Sequence, residues 1–342
     1  MRLRQIGLAV TTALLVGAAP SPEVPIGARI IDEGFAHSEV MATATYLADH
    51  IGGRLTNSPA MRQAEAWAKA RLRGWGLSDV RAEPFDFGRG WSVEEASATM
   101  IAPRRIALRS IPVAWTPGTG GPKTAEAILA PIVRASDYAA WRGKLVGKIV
   151  LLSAPREPAD ETQAPFTRRS DADLAALDTF RQPVTDPAVL DRLAKAQRAS
   201  FDAEAFLKAE GAVAWIRMSA HDNGLVSGEG FGFRIGHTPP LPGFEMAAED
   251  YRRMVRLLRD GPVSLRLNST VRYDDSDPMA YNVLADLPGT SRTNGYVMAG
   301  AHLDSWTAAD GATDNGAGVA IVMEAARILS KLHVRTRRTI RF

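Results

Sequence analysis

The chain has 342 residues, of which 46% are hydrophobic and 23% charged, an ordinary globular composition with enough length for two domains. Its 41 lysines and arginines nearly balance 38 aspartates and glutamates, and no segment concentrates the basic residues, so we do not expect nucleic-acid binding. The absence of cysteine excludes disulfides, thiolate metal ligands and a cysteine nucleophile.

The N-terminus has the pattern of a secretory signal peptide. Arg2 and Arg4 precede an uncharged apolar stretch over residues 6–19, and prolines follow it. This stretch is shorter than the roughly 20 residues that span a bilayer, so we predict a signal peptide over residues 1–19 and a secreted or periplasmic bacterial protein. An uncleaved N-terminal anchor is the open alternative.

Apolar residues at helical spacing predict two helices in the first part of the chain. The first covers about residues 30–50. The second begins after Ser58, a good N-cap, with Pro59 at the first helical position, and ends at the glycines at 74 and 76. Alternating residues over 80–87 then predict a strand.

The middle of the chain alternates strands and helices and has no obvious chemistry of its own. A polar stretch over 155–183 predicts a long loop or insertion. The other predicted elements, in order, are a strand over 126–130, a turn leading into a buried strand over 144–153, a helix over 187–210, a strand over 211–217 and a helix over 244–258.

The last part of the chain returns to strands over 263–270 and 281–287. A short apolar run over 296–300 predicts a buried strand, and Thr339 begins another strand. Between them, a stripe of apolar residues predicts a helix after Asp314. The stripe consists of Val319, Val322, Met323, Ala326 and Leu329.

His302 and Asp314 lie at two successive breaks between these last elements. Side chains at the carboxyl ends of parallel strands converge on one crevice, and imidazole with carboxylate is the ligand chemistry of zinc. Asp304 would share a face with His302 on a continuing strand, where it could accept a hydrogen bond from the far ring nitrogen. On spacing alone, a structural histidine and an ordinary helix cap at Asp314 remain open.

Glycines at 311, 316 and 318 surround Asp314 and allow a tight turn there. They do not form a phosphate loop, because the lysine is absent and the G-x-G-x-x-G order fails. The segment also lacks the alternating acidic ligands of a calcium-binding loop. A nucleotide-binding α/β protein is therefore a weak alternative.

The segments GAHLDSW at 300–306 and GATDNGAGV at 311–319 resemble the signature of the di-zinc exopeptidases of metallopeptidase family 28, and residues 51–59 resemble an earlier part of that family. Residues 111–266 resemble the protease-associated domain that is often inserted into it. The resemblance implies an α/β fold with a mixed-sheet, phosphorylase/hydrolase-like exopeptidase core. It divides the chain into a signal peptide (1–19), an N-terminal part of the peptidase domain (20–110), the inserted small α/β domain (111–266) and a core with the first metal ligands (267–342).

In that family the residue matching His302 ligates one zinc ion, the residue matching Asp314 bridges two, and the residue matching Asp304 supports the site without binding metal. The resemblance implies an aminopeptidase or dipeptidase that hydrolyses short peptides through a water activated by two zinc ions. The family's general base, a glutamate, and its remaining ligands come later than Phe342. We therefore expect a C-terminally truncated chain that is inactive alone.

The expected partners are short peptide substrates. A homodimer is allowed, and no stable membrane span is expected once the signal peptide is removed. Some relatives keep the fold but lose the metals, so a non-catalytic, receptor-like binding protein is the alternative function.

Overall fold

A computed structural model describes residues 24–158, 162, 166–177, 186–291 and 295–342. The predicted signal peptide lies outside these residues, as does part of the predicted loop over 155–183. Within the described ranges, no helix combines the length and apolar character needed to cross a membrane.

The described elements are eight α-helices and twelve strands, together with three short helical turns. The helices are α1 Ile26–Ala36, α2 Val40–Thr45, α3 Pro59–Gly74, α4 Tyr138–Trp141, α5 Asp171–Leu177, α6 Pro187–Ala209, α7 Ala248–Asp260 and α8 Ala317–Lys331. The strands are β1 Ser78–Asp86, β2 Gly90–Ala102, β3 Ile106–Leu108, β4 Ser110–Pro112, β5 Lys123–Leu129, β6 Ile149–Leu151, β7 Ala214–Met218, β8 Gly243–Met246, β9 Ser264–Asp274, β10 Met279–Leu287, β11 Tyr296–Met298 and β12 Thr339–Arg341.

The first sheet has four strands in the order β1-β10-β12-β11. Strand β10 runs antiparallel to both β1 and β12, whereas β11 and β12 are parallel. Helices α3 and α8 bury their apolar faces in the core beside this sheet, where Ala68 of α3 meets Val319 and Met323 of α8. The mixed α/β class predicted from the sequence is therefore confirmed.

The second sheet has eight strands in the order β3-β2-β9-β5-β6-β7-β8-β4. The strands β3, β2 and β9 are antiparallel at one end, β5, β6, β7 and β8 form an internal parallel group, and β4 ends the sheet antiparallel to β8. All strands of this sheet lie between β1 and β10 in the chain. The first of them, β2, begins at Gly90, and the last, β9, ends at Asp274. We call this segment the second-sheet unit. The division at residues 111 and 266 stays a prediction.

Helix α3 forms where the sequence predicts it. The Ser58 hydroxyl accepts a hydrogen bond from the Met61 amide at 3.2 Å, and Pro59 occupies the first turn. Met61 and Leu72 lie on its buried face. The local signals for a cap, a start and a stop are sufficient here because each acts within one helical turn.

Two of the predicted helices are wrong in extent. The helix predicted over 30–50 is divided into α1 and α2 by a break at residues 37–39, and a wider helical turn, Tyr46–Ile51, follows. The helix predicted over 244–258 begins as the strand β8, and α7 starts only at Ala248. All four residues of β8 are buried in the parallel part of the second sheet, and a short apolar run of this kind fits a strand or a helix equally well.

The strand predicted over 296–300 exists as β11, but it is not buried. Tyr296, Val297 and Met298 are each about half exposed (53%, 49% and 55%). Strand β11 is the edge of the first sheet and pairs only with β12 within the described ranges. Apolar composition alone does not show whether a strand is covered, and this expectation is corrected.

Glu204 on α6 generates a pH-dependent prediction. Its side chain is 6% exposed, and its Oε2 atom has no hydrogen-bond partner. Burial raises the pKa of Glu204 to about 7, opposed by the charge of Arg217, whose guanidinium is hydrogen-bonded to Glu245 at 2.6 Å. The folded chain thus favours the protonated acid.

We expect Glu204→Gln to remove one component of the pH dependence of stability. Because the folded-state pKa is raised, the wild-type chain loses stability as the pH rises from about 4.5 to about 7, by about 3 kcal/mol. Urea unfolding between about pH 4 and pH 8 measures this loss, which the variant should not show. Asp202→Asn, at an exposed position on the same helix, is the control, and parallel curves for Glu204→Gln and wild type would contradict the assignment.

Candidate metal centre

His302 lies between two carboxylates. Its Nε2 atom is 3.0 Å from Oδ1 of Asp314, and its Nδ1 atom is 3.1 Å from Oδ1 of Asp304. Strand β11 ends at Met298, so His302 and Asp304 lie on the loop that follows it and not on a continuing strand. The contact between the two residues therefore depends on the fold of this loop.

Asp314 approaches His302 from the turn that precedes α8. This turn, Ala312–Gly316, is interrupted at Asp314, whose φ of −115° and ψ of 93° are not helical. The Asp314 side chain is 71% exposed and that of His302 is 55% exposed. Both ring and carboxylate are thus accessible to an ion or a substrate from solvent.

Asp304 is held on both of its oxygen atoms. Its Oδ1 faces the His302 ring, and its Oδ2 accepts a short hydrogen bond from the hydroxyl of Thr56. A carboxylate on one ring nitrogen fixes the tautomer and the orientation of a metal-binding imidazole. The geometry places Asp304 on the nitrogen opposite to Asp314, as a supporting residue requires.

The backbone that carries these residues is organised around Arg54, which is fully buried. Burial lowers the pKa of Arg54, while the charges of Asp304 and Asp310 oppose this effect. The guanidinium donates to backbone carbonyl oxygens from two separate parts of the chain. These acceptors are Leu47 (2.9 Å), Gly52 (2.7 Å), Leu303 (3.0 Å), Asp310 (2.9 Å) and Gly311 (3.0 Å).

Gly311 completes this arrangement. It has a φ of +64°, and a Cβ atom there would lie 2.4 Å from Oγ of Ser305 and 2.8 Å from Nη2 of Arg54. Ser305 in turn exchanges two hydrogen bonds with the backbone of Arg54, each 3.0 Å long. The loop with His302 and the turn with Asp314 are therefore joined through one buried guanidinium and one position that only glycine fits.

Arg54 and Thr56 are the positioning residues that the sequence reasoning missed. Both belong to the segment 51–59, whose resemblance to the family implies no role for either residue. An arginine beside two glycines and a threonine gives no local signal of burial, because their partners lie about 250 positions later in the chain. The resemblance of the whole segment was the only available indication.

The residues fit a zinc ion in type but supply few ligands. An imidazole nitrogen and a carboxylate oxygen are both zinc donors, whereas catalytic zinc sites have three protein ligands. Among the described residues, no group of three or more histidine, cysteine or acidic side chains is arranged to hold a metal. His302 and Asp314 are thus a donor pair and not a complete site.

Comparison with known proteins relates the chain to metallopeptidases. Residues 282–342 match Peptidase family M28. Carboxypeptidase Q of Bos taurus is 25% identical over 320 residues, which is 90% of this chain and 58% of that protein. This chain therefore spans a little over half the length of that relative.

Solved structures show the same fold. A peptidase M28 precursor from Shewanella amazonensis superposes with a TM-score of 0.61 at 24% identity, covering 92% of this chain and 65% of that one. A zinc aminopeptidase from Bacillus subtilis gives a TM-score of 0.51 at 18% identity, covering 89% and 59%. The mixed-sheet exopeptidase core expected from the sequence is confirmed at the level of fold.

We expect substitution of Arg54 to destabilise the protein strongly. Arg54→Ala removes one hydrogen bond from each of five carbonyl oxygens, of which those of Leu47 and Gly311 also accept from the amides of Gly52 and Gly316. We expect a loss of about 3–5 kcal/mol in the free energy of unfolding. Arg54→Lys keeps the charge but offers three donors in place of five, so it should recover only part of the loss. Urea unfolding measures both.

Arg134→Lys is the matched control, because that arginine side chain is 79% exposed. It should unfold like the wild type. Wild-type stability of Arg54→Lys would show that the fork of the guanidinium is not needed to join the two loops.

Proposed function

We propose that this chain, whose residues 282–342 match Peptidase family M28, forms the metal-binding part of a zinc exopeptidase, an aminopeptidase or dipeptidase that hydrolyses short peptides. Two zinc ions are the expected cofactor. The observation that carries this proposal is that the His302 Nε2 atom lies 3.0 Å from the Asp314 carboxylate. His302 is on the loop after β11, and Asp314 is on the turn before α8.

Each residue of the site has a distinct proposed role. His302 binds one metal ion through Nε2, and Asp304 keeps the ring in place through Nδ1. Asp314 has two carboxylate oxygens and can hold two ions roughly 3.5–4 Å apart. Bound zinc would supply an acidified water and a polarised scissile carbonyl. No residue of the described ranges is assigned as the general base.

Secretion is part of the same proposal. The N-terminal pattern of residues 1–19 is that of an exported protein, and the absence of cysteine suits a bacterial periplasmic or extracellular enzyme. The substrates are short peptides whose free terminus is recognised near the metal ions. A homodimer stays a prediction that oligomer measurements can test.

Metal titration tests the proposed function directly. We expect the 342-residue chain to bind Zn²⁺ weakly in isothermal titration calorimetry, because His302 and Asp314 supply only two ligands. With Co²⁺, the absorption spectrum should be that of nitrogen and oxygen ligation. His302→Ala and Asp314→Ala should each weaken binding by at least about tenfold, because each removes a ligand. Asp304→Asn should weaken it by about tenfold, because the ring then lacks its charged partner.

His221→Ala provides the control, since that histidine is exposed on the second-sheet unit and lies outside the donor pair. It should bind zinc like the wild type. Equal zinc affinity in wild type, His302→Ala and Asp314→Ala would overturn the assignment and favour the non-catalytic, receptor-like alternative.

A further inference from the structure

The edge of the first sheet opposite the metal centre carries a basic segment, residues 331–338. Strands β11 and β12 are parallel, and His302 follows the carboxyl end of β11. The basic segment precedes Thr339, the first residue of β12, so it lies at the other edge of the sheet. Half of its residues are lysine or arginine, so the even spread of basic residues expected from the sequence is wrong here. These residues are Lys331, Arg335, Arg337 and Arg338, and all four are exposed.

Most of this positive charge has no partner within the fold. The three arginines of the basic segment form no ion pair with any described residue. Lys331 is bonded to Glu33 of α1 at 2.9 Å. The carboxylate of Asp286, on the strand beside β12, is taken by Arg341, and the exposed acid on α1 is Asp32. The charge that the segment presents to solvent is therefore predominantly positive.

The backbone of the basic segment is held by the turn between β10 and β11. The Thr290 amide donates to the Thr336 carbonyl at 2.9 Å, and the Ser291 amide donates to the Arg337 carbonyl at 3.0 Å. At Gly289 a Cβ atom would lie 2.3 Å from the carbonyl carbon of residue 338, so the two backbone segments are in contact there. The arginines thus project from a preorganised backbone, which reduces the entropy lost when they bind.

Helix α1 adds apolar side chains beside the basic segment. The Arg29 guanidinium donates to the Leu332 carbonyl at 3.4 Å, which ties the first turn of α1 to the segment. The outer side of α1 is apolar, although a helix face in water is normally polar. Large apolar residues are exposed on it and just before it, and Ile31 is 62% exposed. We call the basic segment and these residues the basic–apolar surface; the apolar members are Val24, Ile26, Ile31 and Phe35.

A surface that combines arginines with exposed apolar side chains suits the headgroup region of an anionic bilayer. Arginines pair with lipid phosphates, and apolar side chains enter the boundary of the acyl chains. The aliphatic residues Val24, Ile26 and Ile31 gain from burial in an apolar medium, which nucleic acid does not offer. The apolar stretch 6–19 is separated from α1 only by residues 20–25, so any form of the chain that retains it would meet a bilayer at this surface.

We propose that the basic–apolar surface docks the protein on an anionic phospholipid bilayer. Arg335, Arg337 and Arg338 bind lipid phosphates, and Ile31 and Phe35 of α1 enter the interface. Because the metal centre lies at the other edge of the sheet, it stays open to soluble peptides while the protein is bound. An exported enzyme would thereby be retained at the membrane surface.

Vesicle co-sedimentation of the 342-residue chain tests this inference. Binding to vesicles of phosphatidylethanolamine and phosphatidylglycerol should exceed binding to phosphatidylcholine vesicles, and the difference should shrink as salt is added. The combined variant Arg335→Gln, Arg337→Gln and Arg338→Gln should lower the partition coefficient on the anionic vesicles by about tenfold to a hundredfold, because each arginine near such a surface contributes about fivefold.

A matched control removes the same charge elsewhere. The combined variant Arg104→Gln, Arg105→Gln and Arg256→Gln changes exposed positions of the second-sheet unit and should bind vesicles like the wild type. Urea unfolding of both combined variants checks that they are folded. The salt series uses the unaltered surface, so it decides the matter even where a combined variant folds poorly.

A dye on α1 reports which surface meets the bilayer. Because the chain has no cysteine, Ile31→Cys can carry a single environment-sensitive fluorophore. Its emission should shift to the blue on anionic vesicles, since residue 31 then leaves water. The same fluorophore at Phe166→Cys, an exposed position on the second-sheet unit, should not shift.

Three results would overturn the inference: equal binding to the two kinds of vesicle, an equal loss of binding in both combined variants, or an unshifted fluorophore at residue 31. Tighter binding to double-stranded DNA than to anionic vesicles, lost in the first combined variant, would overturn it in favour of nucleic acid. None of these measurements requires zinc, so the inference and the proposed function succeed or fail separately.

Discussion

The buried guanidinium of Arg54 is the interaction on which the site depends. It is fully buried, and its five hydrogen bonds are to the turn before it and to the loops that carry His302 and Asp314. An irregular loop has backbone carbonyls that no helix or strand satisfies, and burial makes each unpaired carbonyl costly. One side chain with five donors solves this problem for several turns at once. The relative position of His302 and Asp314 is therefore a consequence of loop packing.

In this arrangement the backbone is rigid while the side chains of His302 and Asp314 remain exposed. The His302 ring and the Asp314 carboxylate stay more than half exposed, while the backbone below them is locked by Arg54 and Gly311. A metal site needs both properties, since its donors must reach an ion and must not move far when it binds. Thr56 extends the same principle to Asp304, whose second oxygen it holds.

The sequence predicts features that depend on residues close together in the chain, and it fails for features that depend on distant residues. Helix α3 was predictable because Ser58, Pro59 and the closing glycine act within a few residues of one another. His302 and Asp314 could be singled out because their residue types and flanking glycines form a specific pattern. The long strand β2 and the short β8 were not recognised, since their identity depends on pairing with distant strands. The exposure of β11 and the burial of Arg54 are likewise properties of the whole fold.

The segment that contains Arg54 and Thr56 also holds the two connections between the first sheet and the second-sheet unit. Asn57 is buried, and its amide donates to the carbonyls of Gly88 and Asp277, each at 2.8 Å. These two residues lie on the two connections between the first sheet and the second-sheet unit. One short stretch of chain therefore holds the loop that carries His302, the carboxylate of Asp304 and both connections.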